Sequence, residues 1–305
     1  MRNIFIAGHN GFLGKSIYNE FSKDKKYKII TRNKKILDLT NFNLTNSFFK
    51  KNKIDYVVNA AGLVGGIKQN MENQIDFLDI NYFIQSNLIK SAYNNNVKKY
   101  INIASSCIYP RNAKQPLKED YLLSDKFEPT NEGYALSKVC GVKLSQFYRQ
   151  KFNFNIKSLF PCNLYGVNDT FFNDNSHFIS GIISKIYIAK KNNKKYVKLW
   201  GSGKPKREIM LNSEAARAVK FFLEKDIKED NVNIGSGIDY PIKYYAQKIK
   251  KILNYQGKII WDVSQPDGVK RKLLDVSIMN KYRFKHKYDA EKGLELVINN
   301  FLNYL

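Results

Sequence analysis

The chain has 305 residues, enough for one large domain or for two domains that share an interface. Its formal net charge is +24, but the lysines are scattered and diluted by asparagine, which favours solvated surface charge over a nucleic-acid interface. No apolar run approaches the roughly 20 residues that a membrane-crossing helix needs, and the apolar start reaches a glycine too early for a signal peptide.

The three cysteines, Cys107, Cys140 and Cys162, have no metal-binding spacing and form no obvious disulfide set. We therefore expect a reducing, cytoplasmic setting and no bound metal. An anionic, phosphate-bearing small molecule is the partner that would benefit most from the positive charge.

The first half of the chain alternates strand-like apolar runs with amphipathic helical stretches. Strands are predicted at residues 2–7, 27–31, 54–60, 99–104 and 156–162. Helices are predicted near residues 12–23, 42–52, 76–95 and 133–152. This alternation is typical of an α/β protein with a Rossmann-type, doubly wound parallel sheet.

After Asn163 the pattern loosens, and a helix is then predicted around residues 178–191. A strand near 207–210, a helix at 213–224 and a strand at 231–234 are expected to return to the main sheet, followed by short mixed elements. We therefore predict a Rossmann domain at 1–164, with a returning segment at about 207–237. The parts at 165–206 and 238–305 would form a smaller mixed α/β domain.

A glycine-rich segment, Gly8-His9-Asn10-Gly11-Phe12-Leu13-Gly14, follows the first predicted strand and opens the first predicted helix. Glycines there allow a tight turn and close backbone approach to a pyrophosphate. The phosphates would lie at the helix N-terminus, where free amides and the helix dipole favour anions. A plain glycine turn is the alternative, but the position directly after the first strand favours dinucleotide binding by Gly8, Asn10, Gly11, Phe12, Leu13 and Gly14.

The end of the second predicted strand selects between the nicotinamide cofactors. A carboxylate there binds the ribose diol of NAD, whereas a cation accepts the extra phosphate of NADP. The chain has Arg32, with Lys34 as a weaker second cation, and no carboxylate before Asp38. This favours NADP(H), unless both cations are ordinary surface charges. Asp38 and Leu39 are suitably placed for the adenine edge.

A Tyr-x-x-x-Lys pair, Tyr134 and Lys138, lies downstream of Ser105. Positions i and i+4 share one face of a helix, so the phenol and the ammonium would point the same way. A nearby cation lowers the pKa of a tyrosine, which predicts that Tyr134 exchanges protons near neutral pH. This spacing alone is a weak signal, because it occurs by chance on many helices. It favours a catalytic pair here because the chain also has the glycine-rich segment typical of dinucleotide binding.

Together these motifs resemble the extended short-chain dehydrogenase/reductase superfamily, and further segments are similar to its GDP-L-fucose synthase family. In that family one active site epimerises GDP-4-keto-6-deoxy-mannose at C3 and C5, and then reduces the C4 ketone with NADPH. The similarity runs from the first strand to about Tyr282. The segments are Ser105-Ser106-Cys107-Ile108-Tyr109-Pro110, Glu128-Pro129-Thr130-Asn131-Glu132, Asn163-Leu164-Tyr165-Gly166, Asn175-Ser176-His177, Trp200-Gly201-Ser202-Gly203 and Pro266-Asp267-Gly268-Val269-Lys270-Arg271-Lys272-Leu273-Leu274-Asp275-Val276.

The resemblance implies five catalytic residues. Ser105 would hydrogen-bond the C4 carbonyl, Tyr134 would protonate the alkoxide, and Lys138 would tune Tyr134 and hold the nicotinamide ribose. Cys107 and His177 match the acid and base of epimerisation, and both residue types titrate within reach of neutral pH. The plain alternative for Cys107 is a small buried residue after a strand.

The resemblance also implies binding residues. For the GDP-sugar they are Ser106, Cys107, Asn163, Lys185, Trp200, Arg207 and Lys272, although Trp200 could also be a core residue. For NADP(H) they are Ala60, Ala61, Tyr134, Lys138, Pro161, Asn163, Leu164 and His177, besides the glycine-rich segment, Arg32, Asp38 and Leu39. Asn81 matches a residue that shapes the active-site end of the Rossmann domain, and the helices at 76–95 and 133–152 match those of a homodimer interface.

The chain departs from the family pattern at several positions. Leu63 replaces a lysine, Gly133 replaces the proline before the catalytic tyrosine, and Asn10 replaces a common arginine. One alternative is therefore a C4 reductase only, acting on an already epimerised GDP-4-keto-6-deoxy hexose or heptose.

Two further alternatives belong to other classes. A nucleotide-sugar 4-epimerase or dehydratase is one, but dehydratases usually carry an acidic residue soon after the serine, where this chain has Ser106 and Cys107. A non-catalytic NADP-binding regulatory protein is the other, and the intact Ser105, Tyr134 and Lys138 count against it.

Overall fold

The computed structural model describes residues 1–172, 176–265 and 267–304. Asn175 and Pro266, which belong to two of the sequence motifs, lie outside the described residues. The strands within the described residues are β1 (Arg2–Ala7), β2 (Tyr27–Ile30), β3 (Tyr56–Asn59), β4 (Lys99–Ile103), β5 (Ile156–Pro161), β6 (Asn163–Tyr165), β7 (Tyr196–Trp200), β8 (Lys206–Leu211), β9 (Asn231–Ile234), β10 (Asp239–Pro241), β11 (Lys258–Asp262) and β12 (Arg271–Lys272).

The α-helices fill the connections between these strands. They are α1 (Phe12–Ser22), α2 (Phe42–Asn52), α3 (Ile67–Glu72), α4 (Gln74–Asn94), α5 (Glu132–Phe152), α6 (Phe178–Lys191), α7 (Asn212–Glu224), α8 (Ile242–Ile252), α9 (Ser277–Lys281) and α10 (Ala290–Asn303). Among the described residues, no helix combines the length and the apolarity that spanning a bilayer requires. Short 3-10 helices lie at Ser106–Ile108, Glu119–Tyr121 and Pro129–Asn131.

The main sheet has six parallel strands in the order β2-β1-β3-β4-β5-β9. Alternate residues of β1 enter two different cores: Ile4 and Ile6 pack with α1 and α7, whereas Phe5 and Ala7 pack with α2 and α4. Burial on both faces explains the continuous apolar runs of these strands. The predicted α/β class with a doubly wound parallel sheet is confirmed. The chain reverses its direction of winding between β1 and β3, where such folds bind ligands.

A second sheet contains β8 between β10 and β12, and β6 also pairs with β8. The prediction that the strand near 207–210 returns to the main sheet is therefore wrong. β9 already occupies the free edge of β5. β8 instead pairs in parallel with β6, which leaves the main sheet directly after β5. The predicted helix α7 does pack beside α1, and the predicted strand β9 does join the main sheet.

A further buried cluster lies away from the main sheet. It is built from α6, α8 and α10 together with β7 and β8, and Ile183, Tyr245 and Leu294 are fully buried in it. β7 and β11 form a two-stranded parallel sheet. Helix α6 was predicted with the bounds it has, whereas β7, α8, β11 and α10 were not predicted individually, because short amphipathic pieces give weak periodic signals.

Glu208 on β8 is completely buried and joins three parts of the chain. Its Oε1 accepts a hydrogen bond from Gly237 N at 2.6 Å, and its Oε2 accepts one from Leu274 N at 2.9 Å. The Asn163 side chain donates to its backbone oxygen at 3.0 Å. Burial raises the pKa of Glu208 to about 7, although the amide donors at Leu274 and Gly237 oppose that shift.

Glu208→Gln tests this carboxylate, because it removes the titration and keeps the side-chain size. Since the folded-state pKa lies above the ordinary value of 4.5, the contribution of Glu208 to stability is complete below pH 4.5 and is lost as the pH rises through 7. The difference in unfolding free energy between the native protein and the variant should shrink by up to roughly 3 kcal/mol from pH 4.5 to pH 8. Urea unfolding at both pH values measures it, and a difference independent of pH would contradict the assignment.

Candidate active site

The glycine-rich loop is packed tightly between β1, β3 and α1. Gly8 has φ +78°, and a Cβ atom there would lie 2.6 Å from the Ala60 oxygen and from Ala61 backbone atoms. A Cβ atom on Gly14 would lie 1.9 Å from the Gly8 oxygen. Only glycine fits these two positions, since any side chain would collide with backbone. Gly11 N donates to Gly8 O at 2.9 Å and closes the turn.

The start of α1 is open for an anion. Gly11 is its N-cap residue, and within the described chain no side chain caps it and no acidic residue lies in its first turn. Asn10 and Gly11 are exposed, and Phe12 and Leu13 are partly exposed. The unpaired amides and the positive end of the helix dipole therefore suit the predicted pyrophosphate.

The residues after β2 form a cationic surface. Arg32 is exposed, its guanidinium lies 5.5 Å from the centre of the Phe48 ring, and it forms no ion pair within the described chain. With Lys28 and Lys51 it lines a cleft of about 470 Å³ that does not include the glycine-rich loop. Lys34 is also exposed.

Asp38 and Leu39 are held in place by hydrogen bonds. Asp38 accepts from the Thr40 amide at 3.0 Å and from the Thr40 hydroxyl at 2.8 Å, and these bonds lower the pKa of its carboxyl. The Asn87 side chain of α4 donates to Leu39 O at 3.0 Å. The predicted adenine-binding segment is thus fixed to α4.

Asn81 on α4 holds the segment after β3. Its Oδ1 accepts from Leu63 N at 2.7 Å, and its Nδ2 donates to Leu63 O at 3.0 Å. A Cβ atom on Gly62 would lie 2.7 Å from Asn81 Oδ1 and 3.5 Å from Lys138 Nζ. The segment that starts with Ala60 and Ala61 therefore runs between the glycine-rich loop and Lys138.

The structure brings Ser105, Tyr134 and Lys138 together. Ser105 follows β4 and caps the 3-10 helix Ser106–Ile108, with its Oγ 3.2 Å from Cys107 N. Its hydroxyl is also near enough to Tyr134, in the first turn of α5, to lower the pKa of the phenol. Lys138 follows one turn later, with Nζ 5.8 Å from the centre of the Tyr134 ring and 3.1 Å from Ile103 O, to which it donates.

The predicted low pKa of Tyr134 is wrong for this structure. Burial raises the pKa of Tyr134 and the nearby Cys107 raises it further, whereas the hydrogen bond from Ser105 lowers it. Lys138 is itself buried, which lowers its own pKa to about 8, and its ammonium is directed at a backbone carbonyl. Tyr134 therefore keeps its proton at neutral pH and can act as a proton donor.

Cys107 lies among positive charges that the second sheet supplies. Lys272 Nζ is 3.5 Å from Cys107 Sγ, and the register of β12 with β8 places Lys272 beside Arg207. Burial raises the pKa of the Cys107 thiol, but Lys272, the hydrogen bond with Ser105, and Arg207 together lower it below its ordinary value. The thiol is thus more acidic than that of an ordinary cysteine. The buried Ser106 lines a cavity of about 30 Å³ next to Cys107.

His177 lies beside the glycine-rich loop. Its ring centre is 5.2 Å from that of Phe12, and its Nδ1 is 2.8 Å from Asp169 Oδ1. The hydrogen bond with Asp169 raises the pKa of His177 against the opposing effect of burial. Asp169 was not predicted, because it lies in a loop where no periodic pattern marks it. Among the described residues no hydrogen bond joins His177 to Cys107.

The remaining predicted residues fall into two places. Asn163, Leu164 and the buried Pro161 lie where β5 passes into β6, next to Glu208 and the Arg207 strand. Lys185 on α6 and Trp200 at the end of β7 form a separate pair, with Nζ 5.1 Å from the indole ring centre. The Trp200 side chain is not in the core, since the residue is 66% exposed.

Comparison with known proteins gives matches over nearly the whole chain. A family model described as the NAD dependent epimerase/dehydratase family matches residues 4–235. The chain is 40% identical over 291 residues to a putative GDP-L-fucose synthase 2 of Arabidopsis thaliana, with 95% of this chain and 89% of the relative covered. It is 38% identical over 302 residues to the GDP-L-colitose synthase of Yersinia pseudotuberculosis, with 98% of each covered.

The chain is also similar to solved structures over nearly its whole length. A GDP-mannoheptose C4 reductase of Campylobacter jejuni with NADP bound has a TM-score of 0.91 against this chain, at 28% sequence identity. The superposition covers 99% of this chain and 98% of the reductase.

Lys272→Met tests the electrostatics at Cys107 without reference to any reaction. Because the lysine charge lowers the pKa of the thiol, its removal should raise that pKa and slow alkylation of Cys107 by iodoacetamide several-fold at pH 8. Mass spectrometry of the Cys107 peptide measures the rate, and the exposed Cys140 in the same sample is the internal control. Unchanged alkylation of Cys107 would show that Lys272 does not stabilise its thiolate.

Proposed function

The chain belongs to the NAD dependent epimerase/dehydratase family, and we propose that it is an NADPH-dependent enzyme that reduces the C4 ketone of a GDP-linked 4-keto-6-deoxy sugar. The observation that carries the proposal is that Ser105 and Lys138 both lie beside Tyr134: Ser105 lowers the pKa of the phenol, and Lys138 Nζ, one helical turn away, is 5.8 Å from the ring centre. The resemblance to the GDP-L-fucose synthase family is confirmed by the relatives at 40% and 38% identity.

The three residues have separate tasks in the reduction. Ser105 donates a hydrogen bond to the ketone oxygen, and Tyr134 gives its proton to that oxygen as it becomes an alkoxide. The buried Lys138 ammonium lies close enough to the phenol to stabilise the phenolate that remains. NADPH, when bound, supplies the hydride that reaches C4.

The chain's own residues fit NADP(H). The loop at Gly8 and Gly14 leaves no room for side chains, and the uncapped start of α1 suits a pyrophosphate. Arg32 is exposed and forms no ion pair within the described residues, so that its charge can serve the phosphate that distinguishes NADP from NAD. Asp38 and Leu39 would contact the adenine. A similar reductase has been solved with NADP bound.

We also propose that the enzyme epimerises C3 and C5 before the reduction. The C4 ketone acidifies the hydrogens on both carbons, so a base and an acid can exchange them. Cys107 has a thiol pKa below its ordinary value, and His177 has a pKa above its own, which supports these roles. The two side chains lie in different parts of the site: Cys107 lies beside Lys272, and His177 lies beside Phe12.

A GDP-linked substrate is supported by the positive residues and by the relatives' names. Arg207 and Lys272 are available for the diphosphate, and Lys185 with Trp200 offers a cation and an aromatic face for a nucleoside. The Arabidopsis and Yersinia proteins are both named as GDP-sugar synthases. Reduction only, of a GDP-linked hexose or heptose, is the second candidate, because the chain superposes on a GDP-mannoheptose C4 reductase.

A homodimer is proposed through α4 and α5, which pack side by side. Large apolar side chains on these helices are exposed: Ile75, Phe83 and Phe147 are 76%, 46% and 55% accessible. Exposed apolar side chains on two neighbouring helices suit contact with a second copy of the chain.

The remaining proposals concern organisation and location. We propose that residues 1–164 with about 207–237 form the NADP-binding domain, and that 165–206 and 238–305 form the nucleotide-sugar-binding domain. We also propose a cytoplasmic location, which is consistent with three free cysteines, one of them exposed.

Tyr134→Phe tests the reduction, because it removes the proton donor and keeps the ring. With NADPH and GDP-4-keto-6-deoxy-mannose the native protein should oxidise NADPH, and turnover by the variant should fall by roughly 100-fold or more. Absorbance at 340 nm measures both rates. Tyr304→Phe, at a tyrosine that is 82% exposed, is the matched control. Near-normal turnover by the Tyr134 variant would remove Tyr134 from the mechanism, and equal rates with NADH would contradict the preference for NADPH.

Cys107→Ser tests the epimerisation. In D₂O, with the keto-sugar and without NADPH, the native protein should introduce deuterium at C3 and C5, because the base returns solvent protons to the ring. In the variant both the rate of deuterium uptake and the rate of reduction of an already epimerised substrate should be measured. The fall in the uptake rate should be at least about 10-fold larger than the fall in the reduction rate. Mass spectrometry of the sugar measures uptake, with Cys140→Ser as the control. Reduction without any deuterium uptake by the native protein would favour the reductase-only alternative.

A further inference from the structure

Asp169 is a buried carboxylate with defined partners. Its side chain is only 1% exposed, although it lies in the loop after β6. Burial of a carboxylate is unfavourable unless hydrogen bonds or charges compensate for the lost water. Oδ1 is 2.8 Å from His177 Nδ1 and also accepts from the Thr170 amide at 2.8 Å, and Oδ2 accepts from the Ser180 hydroxyl.

The same contacts hold the imidazole of His177 in one orientation. His177 is the N-cap residue of α6, and Ser180 lies in the first turn of that helix. One face of the ring packs against Phe12, with an angle of 33° between the ring planes. Because Nδ1 is occupied by the Asp169 carboxylate, Nε2 is the ring nitrogen left to exchange a proton with another molecule.

We propose that Asp169 is a positioning residue for the epimerisation: it fixes His177 as the Nδ1–H tautomer and thereby makes Nε2 the atom that exchanges the substrate proton. This inference rests on the proposed epimerase function of His177. A carboxylate that accepts from one ring nitrogen determines the tautomer and the orientation of the ring, and it stabilises the imidazolium after proton uptake.

The electrostatics agree with this geometry. Asp169 is the charged group that raises the pKa of His177, and among the described residues no other charged group acts on the imidazole. Phe12 from α1, which packs against the ring, and Ser180, which donates to Asp169, carry no charge. His177 therefore stays protonated to a higher pH with Asp169 ionised than it would without it.

The experiment combines histidine NMR with deuterium exchange. In protein labelled with ¹⁵N-histidine, the His177 signals should show a proton on Nδ1 in the neutral form. In Asp169→Asn the pKa of His177 should fall, because the negative charge is gone, and the neutral form should shift toward the Nε2–H tautomer. Deuterium uptake from D₂O, with the keto-sugar and without NADPH, should fall by roughly 10- to 100-fold in that variant. The pH profile of deuterium uptake should also change in Asp169→Asn: the limb that reports the titration of His177 should shift toward lower pH.

Two further variants separate positioning from loss of fold. Ser180→Ala keeps the charge and removes one donor to Asp169, so that its tautomer should match the native protein and its exchange should fall less than in Asp169→Asn. Asp125→Asn, at an exposed carboxylate in a turn, is the matched control. If Asp169→Asn does not fold, the native spectrum still decides, because a native Nε2–H tautomer contradicts the proposal.

The outcomes distinguish this inference from the proposed function. A native protein that shows the Nδ1–H tautomer but takes up no deuterium leaves Asp169 as the residue that fixes the ring and removes the epimerase role. A native protein that exchanges deuterium while Asp169→Asn keeps the same tautomer, pKa and exchange rate overturns the role of Asp169 alone.

Discussion

The site depends on the buried carboxylate of Glu208. Its oxygens accept amide hydrogen bonds from Gly237, after β9, and from Leu274, after β12. Without these donors, or with the charge left unpaired, burying the carboxylate would be strongly unfavourable. The structure around β8 is therefore complete only when both returning segments are in place. Arg207 precedes Glu208 directly, so the same hydrogen bonds hold the stretch of β8 that carries Arg207.

The position of β8 determines the electrostatics of the active site. β8 and β12 are paired in a register that places Lys272 beside Arg207. Both charges act on Cys107, which comes from the other sheet, after β4. The thiol is therefore made more acidic by residues far away in the sequence. The Coulomb interaction with Lys272 at 3.5 Å, together with Ser105 and Arg207, outweighs the effect of burial on the pKa of the thiol.

How much could be predicted from the sequence depended on whether the signal was local. The strands of the main sheet, the glycine turn and the helical pair Tyr134 and Lys138 follow from periodicity and spacing, and the structure contains them. The pairing of β8 could not be predicted, because it depends on which strand already occupies the edge of β5. Asp169 was missed for a similar reason, since its contact with His177 depends on a loop. The pKa of Tyr134 was predicted with the wrong sign, because burial is not visible in a four-residue spacing.

Ser105 links the two kinds of chemistry in this site. It lowers the pKa of the Tyr134 phenol and also the pKa of the Cys107 thiol. A negative charge on Cys107 raises the pKa of Tyr134, so the site favours one anion at a time. Environments that separate the pKa values of two neighbouring groups also separate their roles. In the proposed mechanism the acidified Cys107 thiol would therefore exchange the ring proton, whereas the phenol, whose pKa is raised, would keep the proton that the reduction requires.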